Sequence, residues 1–262
     1  MKIKFFKYQA LGNDFILIDC LLSLTPFEDL IPYFSAFCNR RLGIGADGVL
    51  AMLPSQRATA FMRIFNADGS EAEMCGNGIR CVAIYLYKNG YTKGKSKFLI
   101  ETLSGLKEVV IIKDSLVKVK MGKPSFYPGE VDIKLKGRVI KGFGVSLGNT
   151  HCIIEEPLSP QEAGPLIEND PIFPNRTNVE FVNIKDPHTL ELVVWERGVG
   201  ITPACGTGAC ASVAWGVTSG KVFSPVSVHL PGGVLKITWS NYDQEMVMEG
   251  EAKEVFEGEI SI

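Results

Sequence analysis

The sequence predicts an α+β protein made of two homologous domains, each a bent, mostly antiparallel sheet wrapped around one central buried helix. Two observations support this prediction. Blocks of sequence recur in the same order at a nearly constant offset, and in each copy an apolar segment with helical character is flanked by runs that alternate as strands do. The chain has 262 residues, of which 46% are hydrophobic, so it is long enough for two medium-sized domains. We expect the two domains to be related by a pseudo-twofold axis.

The internal repeat is carried by short blocks. LGNDFILID begins at Leu11 and LGNTHCIIE at Leu147, an offset of 147 − 11 = 136. CGNG begins at Cys75 and CGTG at Cys205, an offset of 205 − 75 = 130. The dipeptide Asn-Arg also recurs, at 39–40 and 175–176. Several blocks in one order, with offsets that differ by only six, indicate a duplicated domain.

The segment after each of these cysteines is predicted to be a helix. IRCVAIYLYKN and ACASVAWGVTS are apolar or small on nearly every side, which is typical of a helix in a core. Gly90 and Gly220 each follow their cysteine by fifteen residues and are placed to end the helix as C′ glycines. Alternating segments predict the strands around the two helices: Phe61–Asn66, Phe98–Thr102, Val109–Ile112, Glu191–Trp195, Val226–Leu230 and Leu235–Trp239.

The two ends of the first copy can also be placed. Met1–Tyr8 mixes lysines with apolar residues and predicts a first strand rather than a signal peptide. Pro124, Pro128 and nearby glycines interrupt the strand pattern, so the junction between the copies is expected between Gly122 and Gly129.

Composition excludes several classes of protein. A net charge of −2 and a pI of about 6.0 argue against a nucleic-acid binder, and the chain holds no run of eighteen apolar residues that would span a membrane. We therefore expect a cytoplasmic protein. Seven cysteines without an export signal argue against a disulfide framework. Cys20, Cys38 and Cys152 lie in apolar surroundings and are interpreted as buried core residues.

The duplicated cysteine motif suits one kind of chemistry especially well. A cysteine at a helix N-terminus feels the positive end of the helix dipole, which is expected to lower its pKa from about 8.5. The free N–H groups of the first turn form a cradle for an anion, such as a carboxylate. Two such thiols, Cys75 and Cys205, on either side of one cleft could invert an amino acid, one removing the α-proton and the other returning a proton to the opposite face. No lysine motif for pyridoxal phosphate is evident and the cysteine spacing does not fit zinc, so we expect no cofactor and no metal.

Two long motifs then resemble a known family. FNADGSEAEMCGNGIRC at 65–81 and ERGVGITPACGTGACAS at 196–212 are similar to the two active-site signatures of the diaminopimelate epimerases, as are GNDF at 12–15 and GIGADG at 43–48. The resemblance covers the whole chain. It implies a pyridoxal-phosphate-independent enzyme that interconverts LL- and meso-2,6-diaminopimelate, on the route to lysine and peptidoglycan, by a two-base thiolate/thiol mechanism. It also implies that the last strand, roughly 252–262, completes the first domain. The implied domains are 1–120 with 252–262, and 121–251.

The resemblance also implies roles for individual residues. Cys75 and Cys205 are the expected catalytic pair, and Arg197 is expected to pair with the distal carboxylate of the substrate. His151 and Glu196 are expected to modulate the pKa values of the thiols. The expected partner is a small amino acid, not nucleic acid or a membrane, and a homodimer is compatible with the sequence. The full set of expected substrate-binding residues is Asn13, Asn66, Gly76, Asn77, Asn149, Asn178, Glu196, Arg197, Gly206 and Thr207.

Three positions depart from the family pattern. Gly48 stands where some members have glutamine, Thr150 replaces a proline, and Ile201 stands where an acidic residue is common. A more mobile pocket could accept a related amino acid such as glutamate, so a broader specificity stays open.

Other readings of the motif also stay open. A proline racemase or hydroxyproline epimerase shares a CGTG cysteine, but its family carries histidine where this chain has Asn77, and Arg197 would have little purpose on proline. A redox or anion-binding module would use the helix N-termini only to hold an anion. A purely architectural duplication would give the thiols no chemical role.

Overall fold

The computed structural model describes residues 2–21 and 25–262, which form two compact units. Unit 1 comprises Met1–Val119 with Gly250–Ile262, and unit 2 comprises Lys120–Glu249. Met1 of the predicted first strand lies outside the described residues. The predicted domain bounds, 1–120 with 252–262 and 121–251, stay a prediction.

Strands dominate both units. The strands are β1 Lys2–Ala10, β2 Asn13–Asp19, β3 Gly48–Leu53, β4 Ala60–Asn66, β5 Glu71–Ala72, β6 Lys97–Thr102, β7 Gly105–Lys113, β8 Leu116–Gly122, β9 Ser125–Leu135, β10 Arg138–Ser146, β11 Thr150–Ile154, β12 Asn178–Asp186, β13 Thr189–Glu196, β14 Gly200–Thr202, β15 Val226–Leu230, β16 Gly233–Thr238, β17 Met246–Glu251 and β18 Lys253–Ser261. The α-helices of the described residues are α1 Phe34–Cys38, α2 Gly76–Lys88, α3 Pro160–Glu168 and α4 Gly206–Thr218, and short 3-10 turns cover Phe27–Asp29 and Ile31–Tyr33.

In unit 1 the sheet is mixed and mostly antiparallel. β18, β1 and β2 pair antiparallel in that order, and β2 continues to β3 as a parallel pair. β3 pairs antiparallel with β4, which carries the short β5 and then pairs parallel with β6. β6, β7 and β8 complete the unit as an antiparallel meander. Each parallel pair is joined through a helix, α1 or α2, as the geometry of parallel strands requires.

Unit 2 repeats this order of pairs. β9, β10 and β11 pair antiparallel, β11 and β12 pair parallel, and β12 and β13 pair antiparallel. β13 carries the short β14 and pairs parallel with β15, which continues antiparallel to β16 and β17. Here α3 and α4 join the parallel pairs. The predicted fold class is confirmed as a sheet-dominated α+β fold with a repeated unit.

The two central helices, α2 and α4, are covered by strands of their own units. α2 contacts strands from both edges and the middle of its unit, including β1, β3, β7 and β18, and α4 likewise contacts β10, β11, β12 and β16. Every residue of α2 from Gly76 to Leu86 is buried, and so is α4 from Gly208 to Gly216. A helix that is apolar all round is stable only when it is covered on every side, so the predicted central position of both helices is confirmed.

The ends of these helices are also as predicted. Cys75 and Cys205 have extended backbone and act as the N-caps of α2 and α4. Beyond the last turns, Gly90 and Gly220 adopt φ values of +79° and +70°, which glycine adopts without the steric cost that a side chain would incur. The six predicted strand segments fall within β4, β6, β7, β13, β15 and β16, except that Trp239 lies just after β16.

Separate side-chain clusters stabilise the outer layers of the units. In unit 1 the 3-10 turns and α1 pack Phe27, Phe34 and Phe37 against β2, β3 and Phe65. In unit 2 α3 packs Ala163 and Ile167 against β9, β11 and β12. Cys20, Cys38 and Cys152 are buried, as expected of core residues. Within the part of the chain that the structure describes, none of the helices is long and apolar enough to cross a membrane.

Candidate active site

The thiol of each N-cap cysteine lies over the first turn of its helix. In unit 1 the N–H of Gly78 donates to Cys75 Sγ at 3.3 Å, and in unit 2 the N–H of Gly208 donates to Cys205 Sγ at 3.4 Å. The sulfur atom takes the place of the side-chain oxygen of an ordinary N-cap residue. The repeated motif thus builds the same local geometry twice.

Asparagines surround the thiol of unit 1. Cys75 Sγ donates to Asn13 Oδ1 at 3.9 Å, and Asn77 Nδ2 donates to the same oxygen at 3.2 Å. The structure therefore brings Asn13, Cys75 and Asn77 together, with Gly76 beginning the helix between the last two. Asn66 ends β4, and its amide donates to Ser70 Oγ at 2.9 Å.

A charged cluster that the sequence did not reveal holds Asn13. Asn13 Nδ2 donates to Asp47 Oδ2 at 2.8 Å, and Arg40 bridges Asp47 to Asp14. Lys7, which is buried, lies 2.7 Å from Asp14 through its Nζ. Burial alone would raise the pKa of Asp14, but hydrogen bonds from Arg40 and Lys7 outweigh it and lower this pKa to about 2. The ion-paired carboxylates of Asp14 and Asp47 thus fix the side-chain amide of Asn13 and the backbone that follows it.

Arg80 is a second residue that sequence reasoning missed. It is completely buried in α2, where Nη1 donates to the carbonyl of Gly76 at 3.0 Å and Nη2 to Asn77 Oδ1 at 2.9 Å. Nε also donates to the carbonyl of Glu251. The guanidinium therefore orients Asn77, whose amide in turn holds Asn13.

In unit 2 a chain of hydrogen bonds ends at the second thiol. Thr207 Oγ1 lies 3.5 Å from Cys205 Sγ, and Asn149 Nδ2 donates to Thr207 Oγ1 at 3.3 Å. Asn149 Oδ1 lies 3.0 Å from His151 Nε2. His151 Nδ1 lies 2.7 Å from Oε1 of Glu180, a residue that the sequence analysis did not single out. The predicted residues Asn149, His151, Cys205 and Thr207 are brought together, and Gly206 begins α4 beside them.

The remaining predicted residues of unit 2 lie where β11, β12 and β13 meet. Asn178 Nδ2 donates to the carbonyl of Thr150, and its Oδ1 accepts from the N–H of Arg197. The Arg197 side chain is exposed and donates to the carbonyl of Asn175 at 2.8 Å. Glu196 ends β13 and accepts a hydrogen bond from Thr202 Oγ1.

The electrostatics at Cys205 differ from the expectation. Burial raises the pKa of the Cys205 thiol well above its ordinary value, and the nearby carboxylate of Glu196 adds to this increase, although hydrogen bonds from Thr207 and Gly208 act in the opposite direction. The expectation that the helix N-terminus lowers this pKa is therefore wrong for Cys205, because desolvation and the charge of Glu196 outweigh the helix dipole.

The three departures from the family pattern can also be placed. A Cβ at Gly48 would lie 2.5 Å from the carbonyl oxygen of Phe65, so any larger residue here requires a shift of β3 against β4. Thr150 begins β11, with its carbonyl held by Asn178. Ile201 lies in β14, opposite Trp195 of β13. Within residues 2–21 and 25–262, no group of three or more His, Cys, Asp and Glu side chains is placed to share a metal ion.

Comparisons with solved structures show a shared fold. A phenazine biosynthesis protein of the PhzF family from Bacillus anthracis matches with a TM-score of 0.78 at 18% identity and covers 100% of both chains. A hydroxyproline epimerase from Agrobacterium vitis matches with a TM-score of 0.75 at 15% identity, over 99% of this chain and 91% of that one. The chain therefore shares the repeated α+β fold of these proteins.

Sequence comparisons identify the family. The family model described as "Diaminopimelate epimerase" matches residues 5–127 and 143–255. A diaminopimelate epimerase from Nostoc punctiforme is 44% identical over 284 residues, covering 99% of this chain and all of that protein. One from Pelotomaculum thermopropionicum is also 44% identical, covering 97% of this chain and 98% of that protein. The chain belongs to the diaminopimelate epimerase family, and it is an enzyme of the isomerase class.

Proposed function

We propose that the protein interconverts LL- and meso-2,6-diaminopimelate through the thiols of Cys75 and Cys205, without pyridoxal phosphate. One observation carries the proposal: each unit caps a central helix with a cysteine whose sulfur accepts a hydrogen bond from an N–H group of the first turn. The names of full-length relatives at 44% identity support the choice of substrate.

The proposed reaction is an exchange of protons at one carbon. A thiolate takes the α-proton of the substrate, so the C–H bond breaks and an S–H bond forms. The electron pair left on carbon is delocalised into the α-carboxylate. The other thiol then gives its proton to the opposite face, and the pair of thiols ends with its protonation states exchanged. Burial raises the pKa of Cys205, which favours its protonated form in the free protein.

Backbone groups stabilise the charge that develops in this step. The proposed cradle for the reacting carboxylate consists of the N–H groups that begin the two helices, at Gly76, Asn77, Gly206 and Thr207. Donors that are already fixed in position stabilise a developing negative charge without reorganisation. Arg80 contributes indirectly, because it ties the carbonyl of Gly76 and the side chain of Asn77 to one guanidinium.

The polar side chains around the thiols are proposed to hold the rest of the substrate. Arg197 is exposed and suited to pair with the distal carboxylate as a planar donor. Glu196 and His151 are proposed to set the protonation of Cys205, the former through its charge and the latter through Asn149 and Thr207. The proposed amide ligands of the substrate are Asn13, Asn66, Asn149 and Asn178.

The cellular role follows from the proposed substrate. We propose that the enzyme acts in the cytoplasm and supplies lysine and peptidoglycan precursors, with no nucleic-acid or membrane partner, as a monomer or homodimer. The proposed domains are 1–120 with 252–262, and 121–251.

Alanine variants of the two thiols test the mechanism. Cys75→Ala and Cys205→Ala should each lose more than about 10³-fold in kcat for epimerisation of LL-diaminopimelate, since inversion needs both a base and an acid. Cys20→Ala, which changes a buried thiol of the core of unit 1, is the matched control and should keep wild-type kcat. Full activity of either active-site variant would refute the two-thiol mechanism. Turnover of L-glutamate to D-glutamate by the wild type, with no turnover of LL-diaminopimelate, would refute the proposed substrate.

A further inference from the structure

Glu180 occupies a position where the two units differ chemically. Phe15 pairs with Gly48 between β2 and β3, and His151 pairs with Asn178 at the matching place between β11 and β12. Two residues further along, Leu50 of β3 therefore corresponds to Glu180 of β12. Both side chains lie under the third residue after the cysteine: a Cβ on Gly78 would meet Leu50 Cδ2 at 2.8 Å, and a Cβ on Gly208 would meet Glu180 Oε1 at 2.7 Å. Unit 2 thus has a carboxyl group where unit 1 has a methyl group.

The surroundings of Glu180 favour a protonated carboxyl group. The residue is completely buried, and Oε2 has no hydrogen-bond partner among the described residues. Burying an ionised carboxylate in an apolar interior costs much free energy when one of its oxygens has no hydrogen-bond partner. The cost is smaller for a protonated acid, in which the oxygen without a partner is a neutral carbonyl oxygen. Burial raises the pKa of Glu180, although the neighbouring His151 and the backbone of Cys152 act in the opposite direction. The proton of the acid can then lie on Oε1, which faces His151 Nδ1.

A protonated Glu180 fixes the direction of every later hydrogen bond. If Oε1–H donates to Nδ1 of a neutral His151, the ring proton must be on Nε2, where it donates to Asn149 Oδ1. Asn149 then presents Nδ2 to Thr207 Oγ1. Because that oxygen already accepts from Asn149, its own hydrogen is available for Cys205 Sγ.

We propose that Glu180 is a positioning residue that locks His151 as its Nε2–H tautomer and so directs the Thr207 hydroxyl hydrogen at the sulfur of Cys205. This role of Glu180 rests on the proposed two-thiol function. It explains how the buried thiol of Cys205 can act as a base when the reaction runs in the direction in which Cys205 must take the α-proton. The thiolate of Cys205 would accept from Thr207 as well as from the Gly208 N–H, which offsets part of the cost of burying its charge.

Two substitutions of Glu180 distinguish its proposed hydrogen bond to His151 from an effect of its charge and from an effect of its packing. Glu180→Gln places an amide N–H where the protonated acid has its O–H, so it should keep the tautomer and the hydrogen-bond chain. Glu180→Leu copies Leu50 of unit 1 and removes the donor. Glu191→Leu makes the same change at an exposed residue of the neighbouring strand β13 and serves as the matched control.

The test uses 15N NMR of protein labelled at histidine. The chain has only three histidines, so the His151 signals can be assigned. With the free protein, we expect the His151 signals to show Nε2–H in the wild type, in Glu180→Gln and in Glu191→Leu, and to lose that pattern in Glu180→Leu. For epimerisation, Glu180→Leu should lower kcat about tenfold, the effect of one lost hydrogen bond, with KM unchanged, and Glu180→Gln should restore kcat.

An Nδ1–H tautomer in the wild type would overturn the inference, as would Glu180→Gln behaving like Glu180→Leu, or Glu180→Leu retaining the wild-type tautomer. If Glu180→Leu fails to fold, the tautomers of the wild type and Glu180→Gln still decide the question. The NMR measurement needs no substrate. An inactive wild-type protein would therefore refute the proposed function alone, and a wrong tautomer in an active enzyme would refute this inference alone.

Discussion

Replacement of Arg80 by methionine tests whether a buried guanidinium holds the site of unit 1. The side chain is completely buried and donates to the carbonyls of Gly76 and Glu251 and to the amide oxygen of Asn77. Methionine fills much of the same volume but donates nothing. The Glu251 carbonyl belongs to an exposed residue and can be rehydrated. In the interior, two hydrogen bonds to a charged group are lost: the one to Asn77 Oδ1, and the one to the Gly76 carbonyl, which keeps the helical N–H of residue 80.

The expected cost follows from those two acceptors. A hydrogen bond to a charged group contributes about 1.5–3 kcal/mol, and the relief of burying a charge offsets part of the loss of two such bonds, so we expect a loss of about 2–4 kcal/mol. For a chain of 262 residues that corresponds to a fall in Tm of about 4–8 °C. Because Asn77 loses its orientation and releases Asn13, the epimerase kcat should also fall by about tenfold or more.

Differential scanning calorimetry and urea unfolding would measure the stability change, and initial rates would measure kcat. Arg80→Lys is the matched variant: it keeps the charge but cannot present the planar fork, so it should lie between the wild type and Arg80→Met in both measurements. A Tm within 1 °C of the wild type together with an unchanged kcat for Arg80→Met would refute the reasoning.

Two further predictions concern the acidic cluster and the capping glycines. The pKa of Asp14 is lowered from 3.8 to about 2 in the folded protein, so its ion pairs stabilise the fold above about pH 4 by about 2 kcal/mol, and this contribution is lost as the pH falls towards 2. Asp14→Asn should therefore show weaker urea resistance at pH 7 and converge with the wild type near pH 2; an equal difference at both pH values would contradict this. Gly208→Ala should lower Tm more than Gly78→Ala, because its methyl group meets Glu180 Oε1 at 2.7 Å, an atom that is hydrogen-bonded to His151, whereas the methyl group of the other variant meets a terminal methyl group of Leu50 at 2.8 Å. Alanine gains up to about 1 kcal/mol of helix propensity in both variants. Equal thermal shifts in the two glycine variants would show that Glu180 does not constrain the helix start.

Much of the fold could be predicted because the duplication preserved local signals in both copies. The cysteine that begins each central helix and the glycine that ends it are adjacent in sequence to the segment they limit, and the apolar character of that segment fixes its central position. By contrast, α3 was not predicted. Its sequence contains Gly164 and an internal Pro165, both poor helix formers, and the helix is stabilised by packing against Trp195 and the sheet.

The candidate site was predicted only in part, for a related physical reason. Asn13, Asn149 and Thr207 lie within the repeated blocks, where a comparison of the two copies draws attention to them. Glu180 differs from its counterpart Leu50, and Arg80 from its counterpart Cys210, so the repeat gives no signal for either. Their importance comes from burial and from partners distant in the chain, such as His151 for Glu180, and only the paired strands show it.

Proton exchange during turnover is the most direct measurement of the central claim. Wild-type protein would be incubated with LL-diaminopimelate in deuterated water, and the chirality and mass of the product would be determined together. Two thiols acting on opposite faces predict meso-diaminopimelate that carries one deuterium, at the inverted carbon and supplied by the solvent-exchanged thiol. Meso product without deuterium, or deuterium uptake that persists at the wild-type rate when both Cys75 and Cys205 are replaced by alanine, would contradict it.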